Sequence, residues 1–390
     1  MREYLKYLKG DGVIWVITLL MLAFSLVSVY SFVPILVKIE GGTPFKYLFK
    51  HFVYVLIGLG IMYWVHKKDS KYISQLSKFG FYLAVALLIF TFFFGTKVND
   101  AGRWIRIPFV GLTFQSSDFA KLALLLYLSR LLVKKKDSLN LWKGGYWSVL
   151  WPVLLICALI VKDNFSTAAL LFAISLTVMF VGKVPITKIL TTIGAGVALL
   201  SFAVLLHKAL PELNLLPRLE TWENRIFNKL ENENDVLNNA QAIAAEQGIH
   251  HGGLIGQGVG DGRVKEYIPE AYADFYYASF VEEFGLISAL ILVFLYLILL
   301  FRIIRIGLRS EKLFETYACL GIGILLLTQA SVNMLVCTGV FPVTGQNMPL
   351  LAMGGSALIM TCLAIGIVQS IAYQKEKASK ETSDNEIFAA

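Results

Sequence analysis

A group of carboxylates marks the stretch E-Y-I-P-E-A-Y-A-D at 266–274, immediately before a long apolar run. A helix that begins near Pro269 would place Glu270 and Asp274 on one face, because residues four apart share a helical face. A carboxylate beside a membrane surface can take a proton from a sugar hydroxyl, which is the role of a general base. Asp274 is therefore a candidate catalytic base; the alternative interpretation is a solvated helix start that favours acids.

Two further acids, Glu282 and Glu283, follow within the same apolar run. At 1.5 Å per residue they lie roughly 12 Å beyond Asp274 along a helix. Ionised side chains are costly at that depth, so we expect them to pair within the helical bundle. Their expected role is to hold the helix that positions Asp274.

A second candidate site lies in the segment 99–121, which contains R-W-I-R and F-Q-S-S-D-F-A-K. Arg103 and Trp104 suit a phosphate head group at the lipid boundary, although the same pair is typical of an interfacial anchor. Lys121 falls inside the start of an apolar span, where an ionisable group is a functional candidate. Snorkelling to the interface, or pairing with Asp118 three residues earlier, are the alternatives for this lysine.

The late segment from Gly339 to Ser356, which contains F-P-V-T-G-Q-N-M-P-L-L-A-M-G-G-S, is rich in proline and glycine between two apolar runs. Irregular backbone at membrane depth is tolerated only where it is buried in protein or lines a wet cavity. We therefore predict a cavity at the outer leaflet. In the preceding run Gln329 and Asn333 share a helical face, and such amides usually bond across helices.

Glycine is also dense in H-H-G-G-L-I-G-Q-G-V-G-D-G-R at 250–263. This composition allows a close approach of the backbone to a ligand, or it serves a loop that needs several turns.

The composition excludes a soluble globular protein. The 390 residues are 57% hydrophobic and only 16% charged, and the mean hydropathy is +0.66; these values are typical of a polytopic membrane protein. The net charge of +8 fits positive loops beside membrane helices, and the sequence has no nucleic-acid-binding motif. The four cysteines lie in apolar stretches without the spacing of a disulfide framework or a zinc site.

The hydropathy pattern predicts an all-α integral membrane protein with about ten transmembrane helices and a large extracytoplasmic loop before helix eight. Residues 1–374 form the transmembrane domain, the loop covers 207–274, and 375–390 is a disordered cytoplasmic tail. The excess of Lys and Arg in alternate loops places both termini in the cytoplasm and Asp274 outside. The predicted spans are 13–37, 52–65, 79–95, 117–133, 147–161, 166–182, 188–206, 275–301, 314–337 and 350–373.

Together these motifs resemble the SEDS family of cell-wall polymerases, whose members include FtsW, RodA and SpoVE. The matching pieces occur in family order across nearly the whole chain: A-G-R-W-I, F-Q-S-S-D-F-A-K, N-F-S-T-A, G-G-L-I-G-Q-G-V-G, Y-I-P-E-A-Y-A-D-F-Y-Y-A-S-F-V-E-E-F-G and F-P-V-T-G-Q-N-M-P-L-L-A-M-G-G-S. The resemblance implies a peptidoglycan glycosyltransferase that polymerises lipid II into β-1,4 glycan strands at the outer face of the bacterial cytoplasmic membrane. The sequence resembles division-type members such as FtsW more than elongation-type members such as RodA.

The resemblance also implies roles for individual residues. Asp274 matches the family's essential loop aspartate and would be the general base. The residues expected to bind substrate match the outer cavity, the active loop and the late conserved loop; they are Arg103, Trp104, Gln115, Lys121, Glu266, Glu270, Thr344, Gly354, Gly355 and Ser356.

The implied partners are lipid II, a class B penicillin-binding transpeptidase and other membrane proteins of the division complex. A divalent cation, Mg or Mn, is a family-level expectation, since the sequence shows no ligand cluster. Nucleic acid is not an expected partner.

The chain departs from the family pattern at three motifs. It has Q-S-S-D for the usual Q-P-S-E, N-F-S-T for D-L-G-T, and L-A-M-G-G-S for I-S-Y-G-G-S. The rival interpretations are a lipid II flippase, an elongation-type polymerase and an inactive scaffold that recruits a transpeptidase.

Overall fold

Long apolar helices account for most of the structure, which is a computed structural model. It describes residues 8–98, 101–106, 113–162, 164–209, 236–268 and 271–389. The helices are α1 (Gly12–Glu40), α2 (Pro44–Val65), α3 (Ser70–Phe94), α4 (Ser116–Lys135), α5 (Trp147–Val161), α6 (Phe165–Val181), α7 (Ile186–Ala209), α8 (Val236–Gly252), α9 (Val264–Tyr267), α10 (Tyr276–Leu308), α11 (Leu313–Cys337) and α12 (Gly355–Ala389).

Eight helices are long and apolar enough to cross a membrane, which confirms an all-α integral membrane fold. They contain the segments Gly12–Lys38, Pro44–Val65, Ser70–Phe94, Trp142–Val161, Ile186–Ala209, Tyr276–Leu308, Leu313–Cys337 and Gly355–Lys377.

Two further predicted spans, 117–133 and 166–182, coincide with α4 and α6, which are not among these eight helices. Helix α6 is apolar but has only 17 residues, and the 20 residues of α4 include Asp118 and Lys121. The total of about ten spans therefore stays a prediction.

A small β-sheet follows α3, in the interval between the predicted spans 79–95 and 117–133. Its three antiparallel strands are β1 (Thr96–Val98), β2 (Ala101–Arg106) and β3 (Thr113–Gln115), in the order β1-β2-β3. Aromatic and β-branched residues such as Trp104, Ile105 and Phe114 favour this pairing. Trp104 lies opposite Gln115, so the sheet brings two predicted site residues together.

Helix α4 lies at the centre of the bundle. It contacts α3, α5, α6, α11 and α12, and most of its side chains are buried. A helix that is apolar around its whole circumference is expected to be enclosed by others. Around α4, α2 packs against α12 and α10 packs against α11.

Helix α10 is interrupted at Gly285, although the sequence predicted a continuous span over 275–301. Gly285 has φ +77°, which favours glycine. The carbonyls of Glu282 and Glu283 accept hydrogen bonds from the backbone N–H groups of Gln257 (2.9 Å) and Gly258 (3.1 Å). The glycine-rich segment thus replaces the helical hydrogen bonds that the interruption removes.

The same glycine-rich segment approaches α10 very closely. A Cβ atom on Gly256 would collide with the backbone of Glu283, and one on Gly285 would collide with the backbone of Leu254 and Ile255. The glycines therefore allow the backbone of this segment to lie directly against the backbone of α10.

Three helices, α1, α10 and α12, meet at Asp11. Its carboxylate caps α1 by accepting from Val13 N (2.9 Å) and Ile14 N (3.2 Å), and it forms an ion pair with Arg302 at the end of α10. Its backbone N–H donates to Gln369 of α12 (2.7 Å). The start of α1 and the later parts of α10 and α12 therefore lie on one side of the bundle.

The predicted outer loop 207–274 contains the end of α7 together with α8 and α9, and its polar centre, 210–235, lies outside the described residues. At the other end of the chain, α12 continues to Ala389 through the segment for which the sequence predicts disorder.

Candidate functional site

Asp274 lies two residues before α10, half-buried, where three parts of the chain converge. An ideal Cβ on Gly345 would lie 3.4 Å from Oδ2 of Asp274 and 3.9 Å from Nδ2 of Asn164. Gly345 belongs to the late Pro- and Gly-rich loop, and Asn164 is the residue before α6. The carboxylate therefore faces a small space that the absence of a side chain at 345 keeps open.

Asn333 of α11 holds the backbone at this point. Its Nδ2 donates to the carbonyls of Asp274 (2.9 Å), Ala273 (3.3 Å) and Gln346 (2.9 Å), and its Oδ1 accepts from Tyr277 N (3.3 Å). The side chain is almost completely buried. One amide thus ties the start of α10 to the late loop, which confirms the predicted cross-helix bonding of Asn333 and shows how that bonding positions Asp274.

The late loop is irregular backbone that is mostly buried within the protein, which is one of the two settings predicted for the segment from Gly339 to Ser356. Gln346 Nε2 donates to Thr167 Oγ1 of α6 (2.6 Å), and Met353 N donates to the carbonyl of Tyr272 (3.0 Å). Thr344 is also buried, and within the described part of the chain its hydroxyl has no hydrogen-bond partner. A buried hydroxyl without a hydrogen-bond partner can bond to a ligand.

Asp118, Lys121 and Ser356 form a buried polar cluster between α4 and α12. Lys121 Nζ lies 2.9 Å from Asp118 Oδ1, and Ser356 Oγ donates to Asp118 Oδ2 over 2.8 Å. All three residues are buried. Lys121 is thus held in a buried ion pair, which was one of the three alternatives for it.

Two members of this cluster, Asp118 and Lys121, line a small cavity. Gln329 of α11 and Thr361 of α12 also line the cavity, and the remaining walls are apolar. None of the residues that line this cavity belongs to the late loop, so the cavity predicted at the outer leaflet stays a prediction.

The predicted residues of the sheet lie near the start of α12. Trp104 and Gln115 are paired across β2 and β3, and both are half-buried. The hydroxyl of Tyr54 accepts from Thr113 N (3.0 Å) and so connects the sheet to α2. Arg103 belongs to β2, but its side chain lies outside what the structure describes.

Gly354 and Gly355 are required for packing. A Cβ on Gly355 would run into the ring of Tyr54, and one on Gly354 would lie 2.6 Å from Nδ2 of Asn347. These glycines, which the resemblance places in the substrate site, thus allow the late loop to approach α2 and to fold on itself.

Glu283 forms a buried ion pair that the sequence predicted only in part. Lys265 Nζ lies 2.8 Å from Glu283 Oε1, 2.7 Å from Ser31 Oγ and 2.7 Å from the carbonyl of Gly260. Ser31 Oγ also donates to Glu283. Lys265 was not predicted as a site residue, although a lone lysine beside a run of acids was a usable signal.

The neighbouring acids differ in their surroundings. Glu282 is buried and accepts from Arg263 N (2.9 Å), which together with the Glu283 pair confirms that both acids find partners in the bundle. Glu266 is exposed on α9, and Glu270 lies outside the described residues.

No group of three or more His, Cys, Asp or Glu side chains that could hold a metal ion occurs among the described residues. The divalent cation implied by the resemblance therefore has no ligand set there.

A sequence profile of the FtsW/RodA/SpoVE family, described as a cell cycle protein, matches residues 11–377. A protein of Coxiella burnetii named "Probable peptidoglycan glycosyltransferase FtsW" is 31% identical, with 94% of this chain and 97% of that protein aligned. A protein of the same name from Trichlorobacter lovleyi is 29% identical over 95% of each chain.

The fold is also similar to solved structures. A chain from a structural study of a peptidoglycan synthase complex superposes with a TM-score of 0.72 at 23% identity, covering 93% of this chain and 97% of that one. The rod shape determining protein RodA of Thermus thermophilus gives a TM-score of 0.64 at 21% identity, covering 93% and 96%. The chain, with the profile matched over nearly its whole length, belongs to the FtsW/RodA/SpoVE family.

Proposed function

We propose that this protein is a peptidoglycan glycosyltransferase that polymerises lipid II, with Asp274 as its general base. The observation that carries the proposal is the placement of Asp274, half-buried beside Gly345 and held through its own backbone by Asn333. A carboxylate fixed in this way has the positioning that general-base catalysis needs. The names of the relatives support the same activity.

In the proposed step, Asp274 takes the proton of the acceptor sugar's 4-hydroxyl as that oxygen attacks the anomeric carbon of the growing chain. The new C–O bond forms while the bond from the anomeric carbon to the lipid pyrophosphate breaks. The electron pair of that bond leaves with the pyrophosphate. Attack opposite the leaving group inverts the carbon, so an α-linked donor yields a β-1,4 product.

The leaving pyrophosphate gains charge, and a cationic group would stabilise it. Lys121 is the buried candidate, although its ion pair with Asp118 already neutralises part of its charge. Arg103 and Trp104 are proposed to bind the pyrophosphate end of a substrate at the lipid boundary. A divalent cation, when bound, would supply the same stabilisation.

We place the protein in the bacterial cytoplasmic membrane, with both termini in the cytoplasm and Asp274 at the outer face. The basic loops support this orientation. The family name shared by the curated relatives supports a role in cell division. A class B penicillin-binding transpeptidase is the proposed partner, since one structural neighbour comes from a peptidoglycan synthase complex.

Purified full-length protein supplied with labelled lipid II tests the proposal. We expect glycan polymer from the unaltered chain, none from Asp274→Asn, and undiminished polymer from Asp261→Asn, a matched change at an exposed aspartate. Undiminished polymer from Asp274→Asn would overturn the role of this carboxylate. Transfer of labelled lipid II across liposomes without any polymer would favour the transporter instead.

A further inference from the structure

The glycine-rich segment carries an exposed apolar tip. Leu254 is 65% exposed, Ile255 83% and Val259 44%. They are brought together by a run of glycines in a segment that the hydropathy pattern placed outside the membrane. Large aliphatic side chains grouped at the surface of a soluble loop are unusual and typically mark a contact surface.

The depth of this tip follows from its pairing with α10. Ile287 N donates to the carbonyl of Leu254 (3.2 Å), so the two residues lie at the same level. Ile287 lies fifteen residues before Arg302, whose ion pair with Asp11 marks the cytoplasmic edge of the bundle. Fifteen residues of α-helix rise about 22 Å, whereas the hydrocarbon layer is about 30 Å thick.

A second measure along α1 agrees with the first. Ser31 lies nineteen residues after Gly12, the first residue of α1, a rise of about 28 Å. Ser31 contacts Lys265 Nζ, which places the Lys265 ammonium near the outer edge of the hydrocarbon layer. Leu254, paired with Ile287, therefore lies within the outer leaflet and below the level of Lys265.

The backbone of the segment makes several of its hydrogen bonds within the protein, which favours its entry into this layer. Gly253 and Leu254 accept from Leu286 N (3.0 Å) and Ile287 N, and Gln257 and Gly258 donate to the carbonyls exposed by the interruption at Gly285. Non-helical backbone is tolerated at membrane depth when protein groups satisfy it.

The neighbouring surface of α10 has the same apolar character. Leu286, Ile287, Leu290 and Ile291 are between 42% and 56% exposed. They continue along a helix that is apolar enough to span the membrane, so this face meets lipid. The tip of the glycine-rich segment extends that lipid-facing surface without a break.

We propose that residues 253–259 form a wedge inserted into the outer leaflet, with Leu254 and Ile255 in contact with lipid acyl chains. The wedge fixes the height of the outer segment in the membrane. That segment leads through Lys265 to Asp274, so the wedge would hold the carboxylate at a constant distance from the lipid surface. The insertion itself is independent of any catalytic activity.

Site-directed spin labelling tests the insertion. The full-length Ile255→Cys and Leu254→Cys chains are labelled with a nitroxide and reconstituted without partners into phosphatidylethanolamine and phosphatidylglycerol vesicles. Asp261→Cys, at an exposed position two residues beyond the wedge, is the control, and the unaltered chain gives the background from its own four cysteines. Collision rates with oxygen, which concentrates in lipid, and with a water-soluble nickel complex are measured.

We expect labels at 255 and 254 to collide more with oxygen and much less with nickel than the label at 261. Equal nickel collision at 255 and 261 would place the tip in water and overturn the proposal. Low collision with both reagents at 255 would show the tip covered by protein, such as a second copy, and would also overturn it. Because the readout is depth, the result is independent of whether the protein polymerises lipid II.

Discussion

The side-chain amide of Asn333 donates to the backbone carbonyl of Asp274 over 2.9 Å, from inside a membrane-spanning helix. The same amide reaches Gln346 in the late loop. A neutral side chain therefore helps to determine where the candidate base lies, through a hydrogen bond to the backbone of Asp274. Asn333 is a positioning residue in the proposed mechanism.

Replacing Asn333 with leucine should abolish this positioning while keeping a similar side-chain volume. We expect polymerisation to fall about 100-fold, because a small misplacement of a catalytic group has effects of that order. Labelled lipid II polymerisation measures the loss, and a kcat effect larger than the KM effect would separate positioning from substrate binding. Thr338→Ala, an exposed change at the end of the same helix, should leave the rate unchanged. Full activity in Asn333→Leu would contradict the positioning role.

The buried ion pair of Lys265 and Glu283 gives a stability prediction. Lys265→Met leaves the Glu283 carboxylate charged and buried, with Ser31 as its remaining partner. This should lower the free energy of unfolding by about 3–5 kcal/mol. The apparent melting temperature should fall accordingly. Lys265→Met combined with Glu283→Met should recover much of the loss, because no buried charge is left unpaired.

The matched control for this pair is Lys312→Met. Lys312 is 63% exposed in its ion pair with Glu315, and Glu315 keeps its bonds from Ser70 and Ser310. An exposed pair contributes about 1 kcal/mol or less. Equal decreases in melting temperature for Lys265→Met and Lys312→Met would show that burial does not make the Lys265–Glu283 pair more important for stability.

The Asp118 carboxylate accepts hydrogen bonds from both Lys121 and Ser356. The negative charge of this side chain should therefore matter more for activity than the length of the side chain. Asp118→Glu, which restores the acid usual in the family, should keep activity. Asp118→Asn should reduce it, because Lys121 then loses its buried counter-ion. Polymerisation at matched protein yield distinguishes the two variants. Equal activity of Asp118→Asn and Asp118→Glu would show that the charge is not needed.

The contact between Gly256 and Gly285 predicts intolerance of any side chain. Gly256→Ala and Gly285→Ala should each destabilise the protein by more than about 1 kcal/mol, since both residues have positive φ and a Cβ would meet backbone. Gly194→Ala lies in α7 with open space around it, and should be neutral or stabilise by about 0.5–1 kcal/mol. Apparent melting temperatures give the comparison. A tolerated alanine at 256 would mean that the segment is not held against α10.

Much of the fold could be predicted from the sequence because membrane helices are specified locally. A run of about 20 apolar residues must form a helix in lipid, so hydropathy alone placed most of the spans. Helices α2 and α3 begin earlier than predicted, at Pro44 and Ser70, because lysines in their first turns lower the local hydropathy without ending the helix. The prominence of Asp274 also came from local sequence, through the acids before the apolar run and the family resemblance of that motif.

Only the tertiary structure could decide which distant groups meet. Asn333 and Asp274 are 59 residues apart, and Ser31 and Glu283 are 252 apart; their contacts depend on how the helices pack and not on any local pattern. The glycine-rich segment is the clearest case. Its composition allowed a close backbone approach to a ligand or a loop with several turns, whereas the structure shows the approach made to α10. The interruption of α10 at Gly285 determined the outcome, because it exposed backbone groups that in a membrane must be satisfied by protein.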